Sequence, residues 1–409
     1  MICCDKVKVC LMLLLGCIGM QIHAAADVAE SKTTFAKDAL SSYIASGELP
    51  GAVSVFYKDG VQEVSCLGWA NVAAKRPVTL DSPFMQCSQT KGFCGVTIAM
   101  LVEAGVLSLD DPVSKYLPEF KELWVCAGES NQVKMVRKAK NTMTVRMVMN
   151  HMSGLPFELP NYETMGGWSH RMPLRSVAVM AAAQPLLFEP GVKGSYSNLG
   201  IDVGAAIVEV ISGMRWEDFL KKRVLDPLGM KDTVFRPTPG YLANKMELYA
   251  VSAGKAAKWL KDVPSMRRPY GDDRVFASAA AGLWTTPRDQ LKFYKMLMNL
   301  GVGDNGARIL KEETVKSLIL KSTRPKGVSG YSLGITAPET DNDDAWVGHG
   351  GARGSNCMFN WHKKELKLWV VQIDGKPRPW DKAREEAAKK FFQHSIDSSR
   401  VEAYTNRQR

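Results

Sequence analysis

Residues 88–101 read SQTKGFCGVTIAML, with a serine and a lysine three positions apart at the start of a small and apolar run. Such a run predicts a buried helix, and residues three apart on a helix lie on one face, one turn from each other. Ser88 is therefore a candidate nucleophile and Lys91 its candidate base. The same spacing occurs at Ser252 and Lys255, so the pattern needs support from its surroundings.

The position of Ser88 at a helix N-terminus favours nucleophilic chemistry. A helix N-terminus presents unpaired backbone N–H groups and the positive end of the helix dipole, and one N–H can hold an oxyanion. Lys91 can take the serine proton only as a neutral amine, which requires desolvation or a cationic neighbour. Gly92 and Gly95 would let other backbone approach closely. The Ser252 segment, in contrast, contains a glycine and lysines that indicate a solvated face.

A second candidate pair, Tyr196 and Asn198, lies in the segment GSYSN at residues 194–198. Residues two apart project the same way from an extended segment. A tyrosine with a lowered pKa can shuttle a proton, and an asparagine amide can orient a lysine or a substrate carbonyl. The alternative is a loop tyrosine capped by a loop asparagine. The same pattern at residues 404–406, in a polar tail, shows that it also occurs by accident.

The third candidate is the glycine-dense run GHGGARGS at residues 348–355. A run of this kind at the entry to a strand lets a substrate lie against the backbone edge. We expect His349 and Gly351 to line the substrate site and the backbone N–H of Ala352 to act as an oxyanion donor. Arg353 is placed to contact an anionic substrate group, with a solvated arginine as the alternative.

The hydrophobic pattern around these motifs places strands near both chain ends and helices between them. The predicted elements are a helix over 33–46, strands over 51–57 and 61–69, a buried helix over 199–211, strands over 331–335, 356–361 and 366–373, and a final amphipathic helix over 381–394. The region between about 90 and 300 is interpreted as mainly helical.

This order of elements predicts an α+β fold, with an antiparallel sheet built from both chain ends and a largely helical inserted region. The strands and helices do not alternate regularly, which argues against a doubly wound parallel sheet. We expect a single catalytic domain over residues 27–409. Its sheet region covers about 33–75 and 290–395, and its helical region about 76–289.

The first 26 residues are typical of an export signal. Two lysines precede the apolar stretch Val9–Met20, and small residues at Ala24–Ala26 offer a cleavage position. The protein is therefore expected to be exported, to the periplasm or outside the cell. Cys17 follows Leu14-Leu15-Gly16, so lipoprotein processing at Cys17 is the alternative. Removal of residues 1–26 leaves five of the nine cysteines, which we interpret as mostly buried and unpaired, with one disulfide left open.

The charge of the chain is basic but dispersed. The formal net charge is +11, and it is +10 without residues 1–26, which contribute two lysines and one aspartate. No dense block of Lys and Arg and no aromatic-interleaved basic motif is present in the sequence, which argues against nucleic acid as a partner. The charge fits association with anionic polymers of the cell envelope, or simply a solvated basic surface.

The three motifs, in this order, resemble those of the penicillin-recognising serine hydrolases: Ser-x-x-Lys at 88–91, Tyr-x-Asn at 196–198 and His-x-Gly at 349–351. Their separations are similar to those of the class C β-lactamase branch and its esterase and D-aminopeptidase relatives. Further similar segments are NHMSGLP at 150–156, VLDPLGM at 224–230 and AGL at 281–283. The resemblance covers roughly residues 33–395.

The resemblance implies an acyl-enzyme route with no cofactor and no metal. Ser88 attacks a carbonyl, while Lys91 and Tyr196 together handle the protons. Asn198 orients them, and the N–H groups of Ser88 and Ala352 hold the oxyanion. The substrate is a small molecule or a peptide. Oligomeric state is not indicated by the sequence.

One departure from the family narrows the function. β-Lactamases of this branch usually carry Lys-Thr-Gly where this chain has His349-Gly350-Gly351. The Lys and Thr help bind the lactam carboxylate, so the chain is more similar to the esterases and D-amino-acid peptidases. A β-lactamase or D,D-peptidase, or an inactive binding relative, are the alternatives.

The segment GYSLG at 330–334 matches the lipase Gly-x-Ser-x-Gly, but a polar loop and not a helix follows Ser332, so we interpret it as a strand.

Overall fold

The computed structural model describes residues 29–30, 34–130, 133–160, 172–252, 254–260, 276–376 and 378–394. The predicted export signal and the tail from residue 395 onward lie outside the described residues.

Helices and strands follow the predicted order only in part. The helices are α1 (Phe35–Ala45), α2 (Thr90–Glu103), α3 (Val145–Met149), α4 (Leu174–Ala182), α5 (Asn198–Ser212), α6 (Trp216–Leu220), α7 (Pro239–Ala243), α8 (Pro287–Met298), α9 (Glu312–Leu318) and α10 (Trp380–Gln393). The strands are β1 (Ala29–Glu30), β2 (Gly51–Lys58), β3 (Val61–Asn71), β4 (Arg76–Pro77), β5 (Phe84–Met85), β6 (Trp124–Ser130), β7 (Val133–Lys138), β8 (Tyr249–Ser252), β9 (Lys255–Trp259), β10 (Trp284–Thr285), β11 (Val347–Gly350), β12 (Asn356–Asn360), β13 (Glu365–Val370) and β14 (Ile373–Asp374). Short 3-10 segments are Cys87–Gln89, Val113–Lys115 and Pro118–Phe120, and Lys221–Leu225 forms a π-helical turn.

The main sheet joins the two ends of the chain. Within the described residues its strand order is β1-β3-β2-β13-β12-β11, and β4 pairs with β3. All of these pairs are antiparallel except β1 with β3. The central pair is β2 with β13, in the register Val55 opposite Leu368. The predicted antiparallel sheet from both chain ends is therefore confirmed.

The two faces of the sheet pack against different helices, because side chains alternate along each strand. Val55 of β2 and Leu368 of β13 face the main core, which they share with α2. Phe56 faces the other way and packs with Phe391 of α10 and Ala36 of α1. Helix α2 is buried along residues 90–101, as its apolar sequence predicts. The helix that carries Lys91 is thus enclosed between the sheet and the helical region.

Most of the predicted elements are confirmed: α1, the β2–β3 hairpin, α5, β12, β13 and α10. The predicted strand over 331–335 is wrong. Gly334 has a φ of 70°, and the N–H of Ser332 bonds to the Ile335 carbonyl across a tight turn. This irregular segment packs its backbone directly against α2 at Gly95. Apolar and polar residues alternate in this segment as they would in a strand. Its backbone, however, lies against helix α2 and not against another strand.

Two hairpins interrupt the helical region, β6–β7 and β8–β9. The sequence pattern does not reveal them, because residues 135–138 of β7 and most of β9 are exposed, and each of these two strands carries two or more basic residues. Ser252 and Lys255 lie opposite each other at the end of the β8–β9 hairpin, and not on a helix. Their spacing therefore has no relation to the arrangement at Ser88 and Lys91.

Gly95 and Gly92 allow a matched test of how the 331–335 segment is held. A Cβ at Gly95 would overlap the Leu333 carbonyl oxygen, whereas a Cβ at Gly92 would make ordinary contacts with side chains only, with Phe293 at 3.6 Å and Ile335 at 3.9 Å. We expect Gly95→Ala to lower the free energy of unfolding by about 2 kcal/mol or more. Gly92→Ala should leave it unchanged or raise it by up to about 1 kcal/mol through helix propensity. Urea unfolding measures both, and equal effects would contradict the close packing.

Candidate active site

Ser88 lies where the chain turns from strand β5 into helix α2. It is the middle residue of the 3-10 segment Cys87–Gln89, which leads directly into the helix. Cys87 has a φ of 51°, a left-handed conformation that is uncommon outside glycine. Gly351 lies against this turn, since a Cβ there would be 2.6 Å from the Gln86 carbonyl oxygen. The predicted glycine run and the predicted nucleophile are therefore neighbours.

The Lys91 ammonium group has three hydrogen-bond acceptors around it. Its Nζ lies 3.2 Å from Ser88 Oγ, 2.7 Å from Asn198 Oδ1 and 2.9 Å from the Ala280 carbonyl oxygen. It also lies 4.6 Å from the centre of the Tyr196 ring. Three separate parts of the chain, residues 88–91, 196–198 and 280, thus converge on one amine.

Burial makes this lysine a base near neutral pH. The side chain is 0% exposed, and desolvation lowers the pKa of Lys91 to about 7. The carbonyl oxygens of Asn198 and Ala280 can only accept hydrogen bonds, so they hold the two N–H bonds of a neutral amine. The remaining lone pair then points to Ser88 Oγ. The geometry therefore suits proton transfer from Ser88 to Lys91.

Asn198 is held in place from both sides. It is the first residue of α5, and Ser197 caps that helix by accepting a hydrogen bond from the Gly200 N–H at 3.0 Å. The Asn198 amide nitrogen donates to Glu158 Oε1 at 3.0 Å, which turns its oxygen toward Lys91. The predicted orienting role of Asn198 has a structural basis in these contacts.

Tyr196 lies at the mouth of the site, 37% exposed, with its ring over the Lys91 amine. Partial burial raises the pKa of Tyr196 to about 12, and the Ser88 side chain opposes this only in part. Tyr196 is therefore a neutral phenol at rest, contrary to the lowered pKa expected of a tyrosine acting alone as base. It can still donate a proton and receive another from its neighbours.

His349 has contacts that define its charge and its tautomer. Its Nδ1 lies 2.6 Å from the Gly350 carbonyl oxygen and so carries the proton. Its Nε2 then accepts from the Tyr331 hydroxyl at 3.0 Å and lies 3.5 Å from the Tyr196 hydroxyl. Desolvation lowers the pKa of His349 to about 4, and the nearby Lys91 acts in the same direction. His349 is thus a neutral acceptor beside Tyr196, as its predicted position requires.

Ala352 and Arg353 lie in the loop that follows strand β11, which carries His349. Burial raises the pKa of the Cys87 thiol, and the backbone groups of Ala352 and Arg353 oppose this, so both lie close to the residue that precedes Ser88. The Arg353 guanidinium forms an ion pair with Asp374 at 3.2 Å. Its charge is thus already countered within the protein, unlike that of an arginine reserved for a substrate anion.

Several residues of the site are not identified by the sequence motifs. The His151 ring packs between Tyr196 and Tyr331, at centroid distances of 4.3 and 4.5 Å, and its Nδ1 accepts from the Ser197 N–H at 3.2 Å. Phe157 is exposed and stacks against Tyr196 at the rim. His151 and Phe157 belong to or follow the segment at 150–156 noted for its family resemblance, which was the available signal.

Ser332 of the lipase-like segment is not placed to act as a nucleophile. It is fully buried, and its hydroxyl donates to the Leu318 carbonyl oxygen at 2.5 Å.

The cysteines at 66, 87, 94, 126 and 357 are all free thiols, three of them buried. Within the described ranges, acidic, histidine and cysteine side chains nowhere gather in a group of three or more suited to a metal ion. No helix in the described part of the chain is both long and apolar enough to cross a membrane.

Comparisons with known proteins identify relatives along most of the chain. Residues 36–388 match the family model described as Beta-lactamase. Protein Rv1367c from Mycobacterium tuberculosis (strain ATCC 25618 / H37Rv) is 28% identical over 340 residues, which cover 82% of this chain and 78% of that protein.

Solved structures share the fold. Simvastatin synthase (LovD) from Aspergillus terreus superposes with a TM-score of 0.73 at 19% identity, covering 88% of this chain and 98% of that one. EstCE1, described as a hydrolase with promiscuous acyltransferase activity, gives a TM-score of 0.71 at 19% identity, covering 87% and 97%. At these identities the likeness shows a common fold.

The lowered pKa of His349 predicts a loss of stability in acid. Its folded pKa of about 4 lies below the ordinary value of 6.5, so the unfolded chain binds the proton more tightly. The contribution of neutral His349 is complete above pH 6.5 and is lost as the pH falls toward 4. It amounts to about 2.5 kcal/mol between pH 7 and pH 4.5.

Urea unfolding of the wild type and of His349→Gln at pH 7 and pH 4.5 measures this contribution. The pH-dependent loss of stability should be smaller in His349→Gln by about that amount. His362→Gln is the control, because His362 is partly exposed and pairs with Asp341 away from the site. An identical loss in the wild type and in His349→Gln would contradict a neutral, buried His349.

Proposed function

Because the chain belongs to the Beta-lactamase family and is an enzyme of the serine hydrolase type, we propose that it cleaves an ester or amide bond through an acyl-enzyme on Ser88. One observation carries the proposal: the fully buried Lys91 amine lies 3.2 Å from Ser88 Oγ and has carbonyl oxygens at its other hydrogen-bonding positions. An amine held in this way is prepared to accept the serine proton.

In the first step Lys91 takes the proton of Ser88, and Oγ forms a bond to the substrate carbonyl carbon. The electron pair of the C=O bond moves to oxygen, where the N–H groups of Ser88 and Ala352 hold the oxyanion. Collapse of this intermediate breaks the bond to the leaving group, which receives a proton. Tyr196 and Lys91 share that delivery, since the Lys91 amine lies 4.6 Å from the centre of the Tyr196 ring and both groups lie beside Ser88.

In the second step water attacks the acyl carbonyl and gives up a proton to the same pair. The acid is released and Ser88 regains its hydrogen. His349 supports Tyr196 as a neutral acceptor 3.5 Å from its hydroxyl. The exposed Phe157 at the rim offers an apolar surface for an acyl or alcohol group. The description of EstCE1 as a hydrolase with acyltransferase activity supports this type of acyl transfer.

The neutral state of His349 favours esters over β-lactams. Lys-Thr-Gly enzymes of the resembling branch place a lysine cation at this position to bind the lactam carboxylate. Here burial keeps the pKa of His349 at about 4, so the group is uncharged at neutral pH. Arg353, the next cation along the loop, is paired with Asp374.

Ser88→Ala tests the assignment of the nucleophile. We expect it to reduce hydrolysis of p-nitrophenyl acetate to the rate of the uncatalysed background, because no acyl-enzyme can form. Ser332→Ala is the matched control: it removes the serine of the lipase-like motif and should leave kcat/KM within about threefold of wild type. Loss of activity in Ser332→Ala together with its retention in Ser88→Ala would overturn the proposal.

Labelling with a fluorophosphonate separates an enzyme from a binding protein of the same fold. Mass spectrometry of the folded wild type should place a single adduct on Ser88. A protein that never forms this adduct, and hydrolyses no ester in a broad panel, would be a catalytically inactive relative.

A chromogenic cephalosporin tests the preference against lactams. With p-nitrophenyl acetate as the comparison, kcat/KM for the lactam should be at least about a hundredfold lower, because its carboxylate finds no cation at residue 349. His349→Lys should narrow this ratio. A wild-type enzyme that hydrolyses the lactam as efficiently as the ester would instead favour β-lactamase function.

A further inference from the structure

A buried carboxylate that the catalytic motifs do not include lies behind Lys91. Asp202 is on α5, one helical turn after Asn198, so the two side chains share a face of that helix. It is only 4% exposed. A carboxylate is rarely buried in this way without a charged or hydrogen-bonding partner. The partners of Asp202 therefore indicate what it does.

One residue connects Asp202 to the catalytic amine. Asp202 Oδ1 accepts from the Ala280 N–H at 3.2 Å and from the Ser278 hydroxyl at 3.1 Å. The carbonyl oxygen of the same Ala280 accepts from Lys91 Nζ at 2.9 Å. Ala280 is thus held by the carboxylate through its N–H while it holds the lysine through its C=O.

We propose that Asp202 is the buried counter-ion of Lys91 and the positioning residue for the Ala280 carbonyl, so that it sets how readily Lys91 accepts the Ser88 proton. The proposal rests on the assignment of Lys91 as base. When Lys91 takes that proton, a cation forms on a side chain that is 0% exposed to solvent. The Asp202 carboxylate, which is linked to Lys91 through Ala280, stabilises this cation without contacting the substrate.

The charges around Lys91 support the assignment. Among the groups that raise the pKa of Lys91 against desolvation, the Asp202 carboxylate has the largest effect. Burial raises the pKa of Asp202 to about 7, while the charge of Lys91 and the hydrogen bonds from Ser278 and Ala280 oppose this rise. The other titratable groups that face Lys91 are Glu158, Cys87, Cys94, Tyr196, His151 and His349.

Of these groups only Glu158 also carries a carboxyl group, and it is partly exposed and contacts Asn198 rather than Ala280. The Cys94 thiol is fully buried, and its pKa is raised well above the ordinary value. His151 and His349 have lowered pKa values and are neutral at pH 7. Within the described residues, Asp202 is therefore the buried negative charge available to a protonated Lys91.

Asp202→Asn tests the proposal by removing the charge at nearly constant size. In protein labelled with ¹³C at lysine Cε, the Lys91 resonance is identified by its absence from Lys91→Met. Its titration then gives the Lys91 pKa whether or not the protein turns over a substrate. We expect the pKa in Asp202→Asn to fall by about one unit or more, because the cation has lost its partner. An unchanged Lys91 pKa would overturn the proposal.

The rate of fluorophosphonate labelling at Ser88, measured against pH, gives the catalytic consequence. The acidic limb of the profile reports deprotonation of Lys91, so it should move to lower pH in Asp202→Asn by the same amount. The plateau should fall about tenfold, as a weaker base accepts the proton. A purely structural role would lower the plateau and leave the limb in place.

Two further variants complete the test. Asp289→Asn removes another buried carboxylate, which bonds to the Asp232 N–H and to Lys292, and should leave the Lys91 pKa unchanged. Ser278→Ala retains the carboxylate but removes its hydroxyl donor, so it should lower the Lys91 pKa by less than Asp202→Asn. If Asp202→Asn does not fold, an unchanged pKa in Ser278→Ala overturns the proposal. A shifted pKa without labelling of the wild type would contradict the proposed hydrolase function alone.

Discussion

Desolvation of a single amine is the constraint on which the site depends. Lys91 is enclosed within α2, between the main sheet and the helical region, and this burial brings its pKa to about 7. Such burial is stable only because three acceptors surround Nζ. The fold therefore shields the Lys91 amine from bulk solvent and places oxygen atoms around it at fixed positions. Ser88, Asn198 and Ala280 come from different parts of the chain to meet this need.

Close approach of backbone segments makes that enclosure possible. The 331–335 segment lies directly on α2 at Gly95, and the loop after β11 lies on the Cys87–Gln89 turn at Gly351. Neither contact leaves room for a side chain at the glycine. The two contacts place Tyr331 and His349 beside Tyr196, where their hydrogen bond at 3.0 Å holds the imidazole as an acceptor. The two glycines thus allow the backbone segments to approach closely, and the Tyr331 hydroxyl keeps His349 Nε2 unprotonated.

The sequence alone predicted the sheet from both chain ends and the three motifs that the structure brings together, because local pattern and order along the chain carry that information. It could not predict Asp202, whose importance comes from a contact with Ala280, 78 residues away along the chain. The sequence also predicted a strand over 331–335, because the alternation of apolar and polar residues does not show that the segment packs against a helix. The raised pKa of Tyr196 was hidden for the same reason, because burial is a property of the folded chain.

The pairing of β2 with β13 also affects how the protein is made. Residue 55 must pair with residue 368, and His349 takes its place only when strand β11 pairs with β12 near the end of the chain. Contacts so distant in sequence form slowly, because a long loop must close before they contribute any stability. A ribosome-bound or truncated chain that lacks β13 would expose the edge of β2 and would have a serine without a complete site. The candidate site is therefore complete only when the last strands have paired, and an incomplete chain with an exposed β2 edge is vulnerable to aggregation.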